Sequence, residues 1–506
     1  MAAACWLAAS VAVQAQGATQ CAALTGLKIA GVEITSAKLL AASPAKAAAN
    51  PFEYSGPLPE HCRVEGILDR RTGVGGEEYG IRFALALPTD WNGDYLQQGG
   101  GGSNGIVGQP IGATATGAKP ALVRGFAVAS NDTGHKAHGG GFDFGFMKDQ
   151  QAVLDFAFEA NVRVAALAKQ IVAAYYQKPA AYSYFAGCST GGREGMILSQ
   201  RFPAAFNGII SGDPAMRTSM SNIAIGPWAE SSWNRIAPKD AQGKPILAQA
   251  ITDADRKLLM KALLARCDGQ DGVVDGMISD PMACDFKPSQ IACKPGQTSD
   301  CLPPAKAAAI ERVFSGPKNA AGYAIYPGYL YDAGIAENSW SHGLLVPAPG
   351  PVLAPFSGTE FDVDKMAREA ADPLVEPLST KLSTFSGQGG KLIFFHGNSD
   401  PWFSPLDTLQ YYQSLAATNG GAEKVAEWSQ IYLIPGMMHC GGGPSLDQFD
   451  LLTPLVGWVE KGVAPKSVEA TGKAFPGRSR PLCPYPQHAQ YNGSGDTQDA
   501  KNFSCK

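Results

Sequence analysis

The sequence predicts an α/β fold, on three observations. Short β-rich runs end in glycine or polar turns, helical patterns lie between them, and a Gly-x-Ser-x-Gly turn sits at a strand-to-helix junction. The expected strands are residues 81–87, 95–97, 125–129, 182–186, 208–211, 392–395 and 430–434. Several of these runs are apolar throughout, as strands covered on both faces in a mainly parallel sheet must be. Helical patterns cover 151–177, 192–201, 405–415 and 446–461. Alternation of that kind is what a sheet layered with helices requires.

At 506 residues the chain exceeds a single simple core. Residues 16–214 and 388–506 carry the alternation and read as one α/β domain. Between them, over 215–387, the pattern fades into Pro/Gly-rich loops with four cysteines and a helix near 252–265, which reads as an inserted lid. No fixed-period repeat is present, which argues against solenoids and propellers.

Composition narrows the function classes. A net charge of −4, with no run of five or six basic residues, argues against nucleic acid as a partner. No stretch is apolar for the ~18 residues a membrane span needs. Residues 1–15 are small and apolar, with Val13-Gln14-Ala15 as a cleavage site, and read as a signal peptide of a secreted or periplasmic protein. The positively charged start of such a signal is missing, so an Ala-rich tail is the alternative. Without Cys5, ten cysteines remain: Cys21, Cys62, Cys188, Cys267, Cys284, Cys293, Cys301, Cys440, Cys483 and Cys505. An even number with no Cys-x-x-Cys pair favours five disulfides in an oxidising compartment over metal–thiolate clusters.

Gly187-Cys188-Ser189-Thr190-Gly191 has the form of a nucleophile elbow, a tight turn that exposes Ser189 and needs small neighbours. Serine is a poor nucleophile without a base, so an acid and a histidine are expected downstream in the order Ser, Asp, His. Asp400 ends the apolar run 392–395 and its polar loop, and His439 follows the strand ending at 434. The other histidines fit less well: His61, His135 and His138 precede the elbow, His342 lies in the lid, and His488 is near the terminus. His396 precedes the acid on the same strand end and reads as a buried hydrogen-bonding residue. Cys188 adjoins Ser189 and Cys440 adjoins His439; were the two bridged, their Cα atoms would lie about 5.5 Å apart and bring serine and histidine together. The backbone N–H of Thr190, at a helix start, can stabilise an oxyanion. The glycine run 99–102 offers further N–H groups; a phosphate loop is the rival reading, but the Gly-Lys-Ser/Thr ending is missing.

Two further features concern a metal and a pocket. Asp268, Asp271 and Asp275 place three carboxylates within eight residues, separated by glycines. Such hard oxygen ligands suit Ca²⁺ better than Zn²⁺, and a solvated acidic turn is the alternative. Trp402 and Phe403 follow the acid and could clamp an aromatic acyl group or simply fill the core. Recognition of a free substrate carboxylate needs a cation. The lid stretch 338–356 contains no Arg or Lys, leaving Arg217 as the candidate.

Together, Cys188-Ser189, Asp400, His439-Cys440, Gly191-Gly192-Arg193-Glu194-Gly195 and Pro435-Gly436-Met437-Met438-His439-Cys440 resemble the tannase and feruloyl esterase family, over about Cys21 to Cys505. The resemblance is close to a bacterial branch that includes a terephthalate monoester hydrolase. It implies an α/β-hydrolase fold with a large inserted lid domain. Ser189 would be the nucleophile, His439 the general acid/base, Asp400 its orienting partner, and the N–H groups of Gly102 and Thr190 the oxyanion hole. It also implies a structural calcium held by Asp268, Asp271 and Asp275 side chains and the Val273 and Met277 carbonyls, with Cys267 paired to Cys284. The expected activity is a secreted serine esterase acting on feruloyl- or galloyl-type esters through an acyl-enzyme. Hydrolysis of terephthalate monoesters is the alternative, and a calcium-dependent binding protein on an inactive hydrolase scaffold is the rival from another class.

Overall fold

In a computed structural model, described for residues 17–47, 54–139, 141–339, 341–347 and 356–506, the chain forms two compact units. The expected signal segment 1–15, and residues 340 and 348–355 of the cation-free stretch 338–356, lie outside the described residues.

The first unit comprises the chain up to Ser211, with Leu382–Leu392 and Leu451–Gly462. Its strands are β1 (Val32–Leu40), β2 (His61–Thr72), β3 (Glu78–Pro88), β4 (Tyr95–Gln98), β5 (Ala127–Asn131), β6 (Ser183–Cys188) and β7 (Gly208–Gly212). They lie in the order β1-β2-β3-β5-β4-β6-β7. β4 pairs in parallel with both β5 and β6, whereas β1 with β2, β2 with β3 and β3 with β5 pair antiparallel. The sheet is therefore mixed, parallel around β4 and antiparallel over β1 to β3, an antiparallel edge that the apolar runs did not predict. The reason is connection length: residues 73–77 are too few for the crossover that parallel neighbours need, so β2 and β3 must form a hairpin.

Two helices flank β6. The expected helix 151–177 is interrupted: Gln150–Leu154, capped by Asp149 accepting from the Ala152 N–H, passes through a wide turn into α1 (Ala160–Tyr176). Val164, Ala168, Ile171 and Val172 recur at helical spacing and are buried along one face of α1. After β6 comes α2 (Thr190–Arg201). Cys21–Cys62 ties the N-terminal segment to β2, with Cα atoms 5.6 Å apart.

The second unit comprises Gly212–Lys381, Ile393–Asp450 and Val463–Lys506. Its core packs α3 (Asp253–Cys267) and α4 (Pro304–Phe314) through Leu259, Leu263, Ile310, Val313 and Phe314, with Trp233 and Tyr326. A reciprocal cap between Thr252 and Asp255 starts α3, and the Cys267–Cys284 bridge, Cα atoms 5.5 Å apart, anchors its end. Cys293–Cys301 closes a short loop beyond. β8 (Lys391–Gly397) leads through the acid loop into α5 (Pro405–Thr418), and β9 (Ser429–Ile434) lies beside β8.

The helix expected from 446 begins only at Leu452 (α6, Leu452–Lys461). Its first residues instead form β10 (Gln448–Phe449), which pairs with β11 (Val468–Thr471), itself paired with β12 (Ser479–Leu482). A last hairpin, β13 (Ala489–Tyr491) with β14 (Phe503–Cys505), is stapled by Cys483–Cys505. No helix among the described residues is long and apolar enough to cross a membrane.

Candidate active site

The serine side belongs to the first unit. Ser189 sits between β6 and α2 with φ +63°, a conformation that costs a residue bearing a Cβ about 1–3 kcal/mol and recurs at active sites. Small neighbours make the turn possible. A Cβ on Gly187 would meet the Gly191 carbonyl oxygen at 2.5 Å, and one on Gly191 would meet the Gly100 carbonyl oxygen at 2.8 Å. The glycine run lies against the elbow: the Gly191 N–H donates to the Gly100 carbonyl at 3.1 Å, and the Thr190 hydroxyl donates to the Gly102 carbonyl. Both proposed oxyanion donors thus belong to segments bonded to each other.

Glu194, one turn into α2, holds that run in place. Its Oε2 accepts the Gly100 N–H at 3.1 Å and its Oε1 accepts the Asn104 side chain at 2.5 Å. Burial raises the Glu194 pKa, while Arg193 and these donors oppose the rise. His135 supports the run from the other side, its Nε2 lying 3.0 Å from the Ser103 carbonyl and its ring stacked on Phe146 at 3.7 Å. Burial lowers its pKa to about 4, so it is a neutral donor at physiological pH.

The acid and the histidine belong to the second unit. Asp400 is 1% exposed; its Oδ1 accepts the N–H groups of Trp402 and Phe403 at 2.8 and 3.1 Å. Its Oδ2 faces His439 Nδ1 at 2.7 Å, which fixes the ring with Nε2 pointing away from the acid. Burial alone would raise the Asp400 pKa, but the neighbouring imidazoles hold it well below the usual carboxylate range. Asp400 and His439 therefore form a buried hydrogen-bonded pair. The rings of Trp402 and Phe403 lie 4.8 and 5.3 Å from the His439 ring, so both aromatics pack on that imidazole.

Three buried acids that the motifs did not reveal organise these loops. Asp332 accepts the Ser399 hydroxyl and the Gly436 N–H on one oxygen, both at 2.7 Å, and so pins the acid loop to the segment before His439. Asp213 accepts the N–H groups of Gly397 and Cys440 at 2.7 and 2.8 Å. Asp407 engages Arg217, whose Nε lies 2.8 Å from Oδ1 and whose guanidinium also stacks over Tyr326 at 5.2 Å. Arg217 is thus already committed to a carboxylate within the protein. A polar residue at the end of an apolar strand, as Asp213 follows 208–211, is the one signal that could have flagged these acids.

The aspartate loop is held by its own backbone. Asp268 accepts the N–H groups of Asp275 and Gly276, Asp271 accepts the Val273 N–H and the Ser279 hydroxyl, and Asp275 accepts the Met277 N–H. Arg480 lies 2.5 Å from Asp275 Oδ2, and Arg478 3.5 Å from it. Burial raises the Asp271 pKa. The oxygens of Asp268 and Asp271 and Asp275 Oδ1 each meet one donor and keep a second lone pair, so this hard anionic donor set fits a divalent cation in chemistry. Among the described residues the three carboxylates are not gathered within 4.8 Å of one another, so a cation would have to draw them together. Cys188 and Cys440 are each disulfide-bonded.

Comparison with known proteins places this geometry. The model of the family described as tannase and feruloyl esterase matches residues 62–343 and 356–506. A mono(2-hydroxyethyl) terephthalate hydrolase from Piscinibacter sakaiensis is 38% identical, over 88% of this chain and 85% of its own. The crystal structure of feruloyl esterase B from Aspergillus oryzae superposes with a TM-score of 0.78 at 24% identity, covering 97% of this chain and all of that one. A tannin acyl hydrolase from Aspergillus niger gives 0.73 at 22% identity, over 97% and 95% of the two chains. The fold is thus of the α/β-hydrolase type and the activity that of a carboxylic ester hydrolase. The chain belongs to the tannase and feruloyl esterase family.

Proposed function

We propose that the protein is a secreted serine esterase that hydrolyses esters of aromatic carboxylic acids, of the feruloyl or galloyl type, through an acyl-enzyme on Ser189. The observation that carries the reading is Ser189 in a strained turn at the start of α2, with the glycine run bonded to that turn. The Asp400–His439 pair at 2.7 Å is the complementary half of the machinery.

In this mechanism a Cys188–Cys440 bridge keeps Ser189 beside His439. His439 Nε2 takes the proton as Ser189 Oγ attacks the ester carbonyl, and Asp400 stabilises the imidazolium. The N–H groups of Gly102 and Thr190 bind the oxyanion. His439 then protonates the departing alcohol, and water repeats the steps on the acyl-enzyme to release the free acid. Trp402 and Phe403, packed on the His439 ring, would form the aromatic wall for the acyl group. Calcium, held by Asp268, Asp271 and Asp275 with the Val273 and Met277 carbonyls, would supply structural charge to the loop and take no part in the chemistry.

A terephthalate monoester substrate is the second reading, favoured by the 38% identical relative. Against it stand the pairing of Arg217 with Asp407 and the absence of Arg and Lys over 338–356. Side-by-side kcat/KM values for feruloyl, galloyl and terephthaloyl esters decide between the two. Ser189→Ala should abolish the acylation burst and labelling by an organophosphonate; a persisting burst would overturn the nucleophile assignment.

A further inference from the structure

His396 lies in the second unit, fully buried, against the same carboxylate that orients His439. Its Nε2 faces three acceptors: the Phe403 carbonyl at 3.0 Å, Asp400 Oδ2 at 3.2 Å and Asp213 Oδ1 at 3.6 Å. A ring nitrogen among three acceptors must carry a proton. Its Nδ1 lies 2.9 Å from the Thr408 hydroxyl, which can accept from a charged ring as readily as it donates to a neutral one. Asp400 Oδ2 is therefore shared between two imidazoles, whereas a simple triad acid serves one.

Asp213 completes the arrangement. It is buried at φ +35°, a cost retained only where the surroundings require it. Its two oxygens hold the backbone at Gly397, the end of β8, and at Cys440, the residue after the base. Ligand atoms of Asp213, His396 and Asp400 lie within 4.8 Å of one another. Two buried carboxylates this close do not both ionise without a positive charge between them.

We propose that His396 and Asp213 are positioning residues for the esterase reaction, forming with Asp400 and His439 one buried charge array in which a cationic His396 sits between two carboxylates and sets the basicity of His439. The inference rests on the proposed roles of Ser189, Asp400 and His439. Burial alone would lower the His396 pKa, and Asp213 and Asp400 together reverse that to a net rise. Other charges and titratable groups that face the array are Asp407, paired with Arg217, and Tyr329, which burial keeps neutral. The array works by opposing effects. The His396 cation draws charge from the Asp400 oxygen that stabilises the His439 imidazolium, and the Asp213 anion restores it.

The test is the pH profile of kcat/KM on a chromogenic ester. His396→Gln keeps an N–H toward Asp400 and removes the charge, so the acid-limb pKa should rise, by on the order of one unit at an effective dielectric near 20. Asp213→Asn should lower it by a similar amount, and the double variant should return toward the parent value. Shifts in the same direction, or none, overturn the proposal. A second measurement needs no variant in the array: ¹⁵N NMR of histidine-labelled Ser189→Ala protein at neutral pH should show both His396 ring nitrogens protonated, and a neutral tautomer overturns the cation. Survival of turnover in Ser189→Ala would instead indict the active-site reading itself, which separates the two failures.

Discussion

Replacing Glu194 with glutamine tests whether the glycine run is held for catalysis. Glutamine has the same shape but only one accepting oxygen. Gly100 N–H and Asn104 Nδ2, now both donating to the carboxylate at 3.1 and 2.5 Å, then compete for that oxygen while the new amide presents a donor to the loser. One buried donor left without an acceptor costs about 1–3 kcal/mol. The strain falls on Gly100, whose carbonyl accepts the Gly191 N–H, and hence on Gly102, bonded to Thr190. Complete loss of an oxyanion donor lowers kcat by roughly 10²–10³. The run retains other anchors, the Gly99 N–H on Ala186 and the Ser103 N–H on Gly141, both at 2.9 Å, so a partial loss of about tenfold in kcat with KM unchanged is expected. Denaturant unfolding gives the stability term and steady-state kinetics the catalytic one. A variant destabilised by that amount with kcat intact would refute the link between Glu194 and the oxyanion site, and an undestabilised one would refute the hydrogen-bond account.

Stability should rise as pH falls from about 6 to about 4. Asp94, Asp132, Asp155, Asp213 and Asp332 are each raised by burial to about 6, so the folded chain binds more protons in that window than the unfolded one; lowered His61 and His135 oppose this in smaller number. Below that window the trend reverses, as Asp149, held low by Arg71, and Asp400 become protonated. Melting temperatures at pH 5 and pH 7 decide the sign. Replacing Cys267 and Cys284 with serine opens a loop of 17 residues and should cost about 3 kcal/mol, read by denaturant unfolding against the intact protein. Removing metal with a chelator should lower Tm, with calcium restoring it; an unchanged Tm after metal content has been shown to fall would argue against the aspartate loop as a cation site. Selective reduction of the proposed Cys188–Cys440 bridge, followed by mass spectrometry, should cost activity before the fold is lost; activity surviving full reduction would remove the bridge from the proposed mechanism.

Much of the site was legible because it is local. Gly187 through Gly191 can take one turn and few others, and the apolar run before Asp400 can hardly be anything but a strand. The same local reasoning failed at Leu446, where a helical spacing gave way to pairing with β11, and it passed over β1 and β2. The pairing of β2 with β3 in antiparallel followed from a short link that the apolar pattern did not weigh.

The sequence by itself determined the strand–turn–helix around Ser189, the chain order of Ser189, Asp400 and His439, and the cysteines beside two of them. Only the tertiary structure decided what surrounds them: Glu194 beneath the glycine run, Asp332 between two loops, His396 and Asp213 behind the acid. Glu194 and Gly100 are 94 residues apart, and Asp213 and Cys440 are 227 apart. A backbone turn is fixed by neighbouring residues, but a buried charge is stable only where folding delivers its partners, and no local pattern records which segments those will be.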